Sequence, residues 1–284
     1  MILVTGATSH TGSRLVKRLV ERQHQVRCLV HSTKNMGCLP IGSVEIIQGD
    51  LREKNNVRIA LKDVSILISV AHISFAHALI PLCREAGVTR AIFISSTRRY
   101  TKFPCESSVQ VIEAEEAILR SGLNYTILRP SMIYGGPEDN NITRLVRQIR
   151  RHRIFPLFGS GANLIQPIFV WDLVEAIFYC MEHQETSGRD YTLAGPEPIT
   201  YRRAVEIIAT AIKKKIILLP VPLPLCILLA KIYEKMVRHP RLTAEQVRRF
   251  SEDKVFDIAP ARREIAFSPR TFEEGIRLKL AGEA

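Results

Sequence analysis

The segment that decides the fold reads Ile2-Leu3-Val4-Thr5-Gly6-Ala7-Thr8-Ser9-His10-Thr11-Gly12. An apolar run ends at Thr5 and Gly6, and apolar side chains then recur at helical spacing, at Leu15, Leu19 and Val20. A dinucleotide phosphate needs this order of strand, glycine turn and helix, because the N–H groups and the positive dipole end of the helix then point at the anion. The segment therefore indicates a nucleotide-binding turn.

Each glycine of this turn has an expected task. Gly6 is expected to let the backbone turn sharply, and Gly12 to let the helix pack against the sheet. The middle position, where glycine usually lets the backbone approach the pyrophosphate, is Ser9. A lone glycine motif is a weak signal, but its place between a strand and a helix favours nucleotide binding here.

Strand-like and helix-like segments alternate through the first half of the chain. This alternation predicts βαβ units, and hence an α/β fold with a doubly wound parallel sheet and helices on both faces. Ligands are then expected at the carboxyl ends of the strands, around the point where the strand order reverses. The expected strands are 2–5, 25–30, 44–48, 65–70, 91–95 and 125–129, and the expected helices are 12–22, 55–62, 75–86 and 108–121.

The pattern changes after Arg129 and Pro130, where glycine and proline interrupt the segments more often. Asp172 is expected to be the N-cap of a helix over 173–182. A further amphipathic helix is expected from Thr200 onward. The other expected elements are a basic helix over 142–153, a short strand over 165–170 and a strand over 190–194.

The chain is strongly basic, with a formal net charge of +12 over 284 residues. This length allows one large domain or two modest ones. The positive charge is concentrated at 144–153 and at 213–215. Such a surplus favours anionic partners, which could be phosphates, nucleotides or an acidic membrane surface, although a solvated helix face explains it equally well. No nucleic-acid motif accompanies the charge, so nucleic acid is not an expected partner.

Cysteine spacing and the absence of a recognisable signal segment favour a cytoplasmic protein with reduced thiols. We expect no metal site, because the six cysteines lack ligand spacing. The most hydrophobic stretch, 216–230, is 15 residues long, and a helix needs about 20 apolar residues to cross a bilayer. We interpret it as a buried strand followed by a packed helix, with shallow membrane or partner contact as the alternative.

Six short segments, taken in their order and spacing over about residues 1–200, carry a family resemblance. They are Thr5-Gly6-Ala7-Thr8, Gly49-Asp50-Leu51, Ile94-Ser95-Ser96-Thr97, Leu128-Arg129-Pro130, Ile133-Tyr134-Gly135 and Val170-Trp171-Asp172-Leu173. Together they resemble the short-chain dehydrogenase/reductase superfamily, in its extended and atypical epimerase/dehydratase-like branch. The resemblance implies a Rossmann domain over 1–134, completed by 165–194, and a smaller substrate lobe from 135–164 and 195–284.

The resemblance assigns cofactor and substrate roles by position. The hydroxyls of Ser96 and Thr97 would lie where substrate and nicotinamide meet, as catalytic candidates. In the substrate lobe, Tyr134 and the three arginines Arg144, Arg147 and Arg151 would contact an anionic substrate such as a nucleotide sugar. The implied cofactor-binding residues are Gly6, Thr8, Ser9, His10, Thr11, Gly12, Asp50, Leu51, Val70, Ala71 and Ser95.

The end of the second expected strand bears on the choice between NAD and NADP. An acidic residue there would hold the ribose 2′-hydroxyl of NAD, whereas a basic residue accommodates the phosphate of NADP. The strand ends in Val30, His31 and Ser32 without an acid, and Arg27 and Lys34 are near in sequence. We therefore expect NADP, with NAD as the alternative.

The family's catalytic tyrosine and lysine have no counterpart in this chain. The lysine normally lowers the pKa of the tyrosine, so that the phenol can exchange a proton while the nicotinamide exchanges a hydride. The resemblance places Ser107 and Val111 at these two positions. Tyr100, which has basic neighbours, is the candidate replacement, although a loop tyrosine packed on the surface is the favoured alternative.

Two functions therefore remain open. The first is an NAD(P)-dependent reductase or epimerase acting on an anionic, nucleotide-sugar-like substrate. The second is a non-catalytic NAD(P)H-binding sensor, regulator or accessory subunit, whose basic lobe meets a partner protein or an acidic membrane surface. The missing pair favours the second, and the otherwise intact site residues favour the first.

Overall fold

The computed structural model describes residues 1–139, 141–237, 243–250 and 252–282. Within these ranges it contains thirteen strands. They are β1 (Ile2–Thr5), β2 (Val26–Val30), β3 (Glu45–Gln48), β4 (Ile66–Ser69), β5 (Arg90–Ile94), β6 (Tyr125–Pro130), β7 (Ile133–Tyr134), β8 (Ile154–Phe158), β9 (Leu164–Ile165), β10 (Ile168–Phe169), β11 (Arg189–Leu193), β12 (Ile199–Thr200) and β13 (Ile217–Val221).

The same residues form eleven α-helices and four short 3₁₀ segments. The helices are α1 (His10–Glu21), α2 (Lys54–Leu61), α3 (Ala76–Glu85), α4 (Glu106–Leu119), α5 (Ile142–Arg151), α6 (Val170–Glu182), α7 (Tyr201–Ala211), α8 (Leu223–Met236), α9 (Ala244–Phe250), α10 (Ala259–Glu264) and α11 (Phe272–Ala281). The 3₁₀ segments are Thr33–Cys38, Ile73–Phe75, Thr97–Tyr100 and Gln184–Thr186.

Seven strands form one parallel sheet in the order β11-β6-β5-β4-β1-β2-β3. The order reverses between β1 and β4, where the Thr5 hydroxyl donates to the Ser69 hydroxyl across 3.1 Å. The predicted doubly wound α/β fold is confirmed. By the usual rule for such sheets, the carboxyl ends of β1 and β4 are where a ligand is expected.

The central strands are buried on both faces, which is why their sequences are continuous apolar runs rather than alternating ones. Leu3, Leu67 and Phe93 lie in one hydrophobic cluster with residues of the flanking helices, among them Leu61 and Leu79. This packing fixes the strand ends that carry the candidate site.

The chain divides into two compact units. The first unit contains Met1–Ser131, Val170–Leu193 and Asp257–Ser268, and the second contains Met132–Phe169, Ala194–Phe256 and Pro269–Ala284. The segment 257–268, which we assigned from sequence to the smaller lobe, thus belongs with the sheet. Its helix α10 is joined to β11 by a hydrogen bond of 3.1 Å from the Tyr191 hydroxyl to the Glu264 carboxylate.

Two local expectations in the second half of the chain need correction. The expected strand over 165–170 is split into the short strands β9 and β10. Helix α6 already begins at Val170, so Asp172 lies inside its first turn rather than at the N-cap. A carboxylate in the first turn still faces the positive end of the helix dipole, which is why the residue type suits either position.

The second unit includes a two-stranded parallel ribbon made by β8 and β13. The hydrophobic stretch 216–230 forms β13 and most of α8, as the interpretation of a strand followed by a helix predicted. It is not buried as predicted, since Ile217, Leu228 and Leu229 are each more than half exposed. Among the described residues, no helix combines the length and the apolar character that crossing a bilayer requires.

Candidate functional site

Gly6 occupies the end of β1 because no other residue fits there. Its φ is +68°, a left-handed conformation that glycine adopts without the penalty of a side chain. A Cβ atom at this position would lie 2.6 Å from the amide nitrogen of Ala71 and 2.9 Å from the carbonyl carbon of Val70. The turn after β1 therefore presses directly against the end of β4.

Gly12 makes the second close approach. A Cβ atom on Gly12 would lie 2.1 Å from the Gly6 carbonyl oxygen and 2.9 Å from the Ala7 Cα. The glycine thus lets α1 pack against the turn itself, whereas we expected it to pack against the sheet. The physical reason is that α1 starts immediately beneath the turn, with His10 as its first residue.

Ser9 is the N-cap of α1. Its side-chain oxygen accepts a hydrogen bond of 3.1 Å from the Gly12 amide, which is the usual bond from an N-cap serine into the first turn. In the described chain, the amides of Thr8 and Thr11 make no protein hydrogen bond. The turn therefore keeps backbone donors at a helix N-terminus, which is the arrangement that binds a phosphate.

His31 and Asp50 lie together at the ends of β2 and β3. The His31 Nε2 atom is 3.4 Å from Asp50 Oδ2, and the imidazole side chain is 76% exposed. Asp50 Oδ1 also accepts a hydrogen bond of 2.9 Å from the Arg52 amide. Leu51 is partly buried beside it. A basic and an acidic side chain thus share the edge where the ribose of a dinucleotide is expected.

The Ser95 and Ser96 hydroxyl groups at the end of β5 make hydrogen bonds within the protein. The Ser95 hydroxyl donates to the Glu115 carboxylate, and the Ser96 side chain accepts a bond of 3.2 Å from the Arg98 amide. Ser96 is the N-cap of the 3₁₀ segment that begins at Thr97. The expected catalytic serine therefore caps a turn, and the expected cofactor-binding Ser95 serves a buried carboxylate.

A buried ionic cluster occupies this end of the sheet. Glu115 on α4 is fully buried, and Arg129 of β6 donates to it from Nε at 2.9 and 3.0 Å and from Nη2 at 2.8 Å. Arg99 and Ser95 also donate to the same carboxylate. Burial lowers the pKa of Arg129, but its hydrogen bonds to Glu115 and Asp190 outweigh burial, so that the pKa is raised.

Glu115 and its two arginines were not among the sequence-predicted site residues. One signal could have identified the glutamate, because it lies on the same stripe of α4 as Val111, Ala114 and Ile118. A carboxylate on an otherwise apolar helix face is a buried charge, and buried charges need partners. We give the name Glu115 cluster to five residues: Glu115, Arg99, Arg129, Ser95 and Asp190.

Tyr100 is attached to this cluster. Its hydroxyl lies 3.1 Å from the Thr192 hydroxyl and 3.4 Å from Arg129 Nη1. The guanidinium carbon of Arg99 is 5.7 Å from the centroid of its ring. The side chain is nevertheless 47% exposed. Tyr100 is thus oriented by a cation and remains accessible, as a replacement proton donor would need to be.

The two positions at which the family resemblance places the catalytic pair lie on α4, a helix without tyrosine or lysine. The Ser107 hydroxyl accepts a hydrogen bond of 2.7 Å from Arg98 Nη1. Val111 is 2% exposed and packs in the hydrophobic cluster beneath the sheet. Apolar side chains therefore surround residue 111, and burying a lysine ammonium group among them would cost free energy.

Tyr134, expected to contact substrate, lies in the core of the second unit. It is fully buried, and its ring centroid is 5.0 Å from that of Phe272 and 5.5 Å from that of Phe169. Gly275 leaves room for it, since a Cβ atom there would lie 2.0 Å from the Tyr134 hydroxyl oxygen. The residue packs as a core aromatic, and the expectation is corrected.

Arg144, Arg147 and Arg151 share the exposed face of α5, as their spacing predicts. The opposite face buries Ile142, Leu145, Val146 and Ile149. No ion pair joins any of the three arginines to a described residue. In the described part of the chain, no three His, Cys, Asp or Glu side chains come together as metal ligands.

Comparison with known proteins identifies relatives for both units. Residues 6–153 match a family described as NAD(P)H-binding. Subunit 9 of the NADH dehydrogenase [ubiquinone] 1 alpha subcomplex of Arabidopsis thaliana is 25% identical over 78% of this chain, and the match spans 60% of that protein's length. A 2-alkyl-3-oxoalkanoate reductase of Stenotrophomonas maltophilia is 24% identical over 100% of this chain and 99% of its own.

Among solved structures, MoeE5 in complex with UDP-glucose and NAD is similar to this chain with a TM-score of 0.76. The identity is 21%, over 99% of this chain and 97% of that one, so this similarity shows the fold. The family match confirms the expected NAD(P)-binding domain, and the structural match confirms the expected fold.

The Glu115 cluster yields a stability prediction. Glu115→Gln leaves two arginines without their buried counter-charge, and breaking such a pair from one side typically costs about 3 kcal/mol or more. We expect the free energy of unfolding in urea to fall by about that amount.

The matched control is Glu113→Gln, because Glu113 lies on the exposed face of the same helix. This variant should unfold at the same urea concentration as the wild type. If both variants proved equally stable, the cluster would not have the structural role assigned to it.

Proposed function

The chain belongs to the NAD(P)H-binding family, and from this premise we propose that it binds NAD(P)H without the tyrosine–lysine chemistry of the reductases it resembles. The observation that carries the proposal is the content of α4, which has neither tyrosine nor lysine and in which the resemblance puts the pair at Ser107 and Val111. Val111 contributes to the hydrophobic core. At these two positions α4 thus carries a serine hydroxyl and a buried valine in place of a tyrosine and a lysine.

The turn after β1 fits the diphosphate of a dinucleotide. The two close approaches, at Gly6 and Gly12, leave no space for a Cβ atom between neighbouring backbone segments, as the tight turn of a dinucleotide-binding motif requires. We propose that the Thr8 and Thr11 amides donate to the diphosphate and that Asp50 and Leu51 lie beside the adenine. Val70 and Ala71 would line the ribose of the nicotinamide. The bound cofactor would supply a hydride.

The Glu115 cluster supports a binding role over a catalytic one. Ser95 and Ser96, at the strand end where substrate would meet nicotinamide, use their hydroxyls within the protein. A sensor, regulator or accessory subunit needs such an ordered site and no proton donor. The match to a subunit of a larger complex, at 25% identity, agrees with this proposal.

A second candidate function is that of a reductase or epimerase. Tyr100 favours it, because its exposed phenol is oriented by Arg129 and Thr192 and could serve as the acid. Arg144, Arg147 and Arg151 would then bind the phosphates of an anionic, nucleotide-sugar-like substrate. The match to a reductase over the full length of both chains is the supporting comparison.

The cofactor that we propose is NADPH rather than NADH. No acid directly follows β2, and His31, exposed at the end of that strand, would contact the 2′-phosphate. Asp50 is the opposing feature, because its carboxylate is next to the imidazole and would repel a phosphate. The two residues together would set the preference between NADPH and NADH.

A cytoplasmic location also stays a prediction.

Calorimetry and absorbance with the full-length protein separate the two candidate functions. We expect micromolar binding of NADPH and no loss of 340 nm absorbance when UDP-glucose, related nucleotide sugars and quinones are added as substrates. No epimer should form either.

Turnover with any of these substrates would contradict the binding proposal. If Tyr100→Phe abolished that turnover while Ser107→Ala retained it, the enzyme candidate with Tyr100 as the acid would be correct. Absence of binding to either cofactor would contradict both candidates.

The cofactor preference is tested by His31→Ala. Loss of a hydrogen bond to a charged phosphate costs about 1.5–3 kcal/mol, so NADPH should bind about tenfold or more weakly while NADH changes little. His77→Ala, an exposed histidine on α3, is the control and should leave both dissociation constants unchanged. Equal effects of His31→Ala on the two cofactors would contradict the assignment.

A further inference from the structure

The ribbon of β8 and β13 in the second unit exposes an apolar face. The strands pair in parallel, with Ile154 opposite Ile217 and Pro156 opposite Leu219. Since alternate side chains of a strand share a face, these four residues lie on the same side of the ribbon. Ile154, Ile217 and Leu219 are between 51% and 66% exposed. The ribbon thus presents hydrocarbon to the solvent.

Helix α8 presents a second apolar surface, because its large apolar side chains are exposed. Leu225, Leu228, Leu229 and Ile232 recur at i, i+3, i+4 and i+7, and each is between 45% and 54% exposed. The buried residues of the helix are the small Cys226 and Ala230. An ordinary surface helix buries its large apolar side chains and exposes polar ones. In this helix the large apolar side chains are exposed and only small residues are buried.

The ribbon and the helix form one continuous surface, which we call the apolar face. Between them lies a cavity of about 450 Å³, lined from the ribbon by Pro156, Phe158 and Val221 and from the helix by Leu229, Ala230 and Tyr233. Its lining is almost wholly hydrocarbon. A cavity of this composition suits an alkyl chain and offers few partners to a polar ligand.

Cations border the apolar face where both strands begin. Residues 142–158 contain five arginines and residues 207–233 contain four lysines, with no aspartate or glutamate in either segment. The two runs are adjacent, because the Ile217 amide donates to the Arg153 carbonyl at 2.8 Å and Lys214 Nζ donates to the Arg150 carbonyl. Lys213 and Lys215 are exposed.

We propose that the apolar face docks on an anionic lipid bilayer. The leucine and isoleucine side chains enter the boundary between headgroups and acyl chains, and the arginines and lysines contact lipid phosphates. The cavity accepts part of an acyl chain. This inference is independent of the cofactor proposal, because every residue that carries it lies in the second unit.

Charge argues against a second copy of the chain as the occupant. A two-fold interface would bring two copies of the same positive border into one contact region, and neither segment contains an aspartate or glutamate to neutralise them. An anionic bilayer instead complements both features, the hydrocarbon and the positive border. The observations therefore favour lipid over self-association.

Vesicle flotation with the full-length protein tests the proposal. In 150 mM salt, the partition coefficient should be at least tenfold higher for vesicles of phosphatidylcholine with about 30% phosphatidylglycerol than for phosphatidylcholine alone. Raising the salt to about 500 mM should reduce it several-fold. Leu228→Asp/Ile232→Asp and Lys213→Glu/Lys215→Glu should each reduce it at least tenfold.

Matched controls lie in the first unit. Ile59→Asp replaces a side chain that is 60% exposed on α2, and Lys62→Glu/Arg84→Glu reverses two exposed charges. These variants should partition like the wild type. If the aspartate variants unfold, Leu228→Gln/Ile232→Gln and the salt dependence of the wild type give the same test.

Three outcomes would overturn the proposal. The first is equal partitioning of the wild type to both kinds of vesicle. The second is unchanged partitioning of the folded variants. The third is a dimer by light scattering that Leu228→Asp/Ile232→Asp converts to a monomer, because the face would then be covered by a second copy. NADPH binding, measured in parallel, reports separately on the first unit.

Discussion

The closeness of three backbone segments at the end of β1 is the constraint on which the candidate site depends. Gly6 presses against the end of β4, and Gly12 presses against Gly6, so that neither position has space for a Cβ atom. These contacts place the N-terminus of α1 at the point where the sheet order reverses. Backbone donors and a helix dipole then converge where an anion can approach. The family membership comes from the match over residues 6–153, and the NAD(P)H-binding proposal follows from this arrangement.

The same edge of the sheet has a different construction where β5, β6 and β11 lie. There the Glu115 cluster joins α4, β5, β6 and β11 through a buried carboxylate and two arginines. Serine hydroxyls that could serve chemistry are used to satisfy that carboxylate or to cap a turn. The first unit thus combines a turn that keeps backbone N–H donors available with a closed ionic structure. That combination suits binding of a dinucleotide better than turnover.

Sequence patterns predicted the parts that depend on local rules. Alternating segments predicted the parallel sheet, and the positions of Gly6 and Gly12 predicted the turn. Patterns could not predict features that depend on distant packing. The burial of Tyr134 needs Gly275 and Phe272 from the far end of the chain, and Glu115 needs arginines from two other segments. The exposure of α8 was missed because hydrophobicity alone indicates burial, whereas here only its small residues are buried.

Hydrogen–deuterium exchange of the wild-type protein with and without NADPH locates the bound dinucleotide without any substitution. We expect slower exchange at the amides of residues 6–12, above all Thr8 and Thr11, together with protection near His31 and Asp50. The helices of the second unit should be unaffected. If calorimetry reports saturable binding while residues 6–12 show no protection, the turn after β1 is not the dinucleotide site, because the dinucleotide is then held elsewhere.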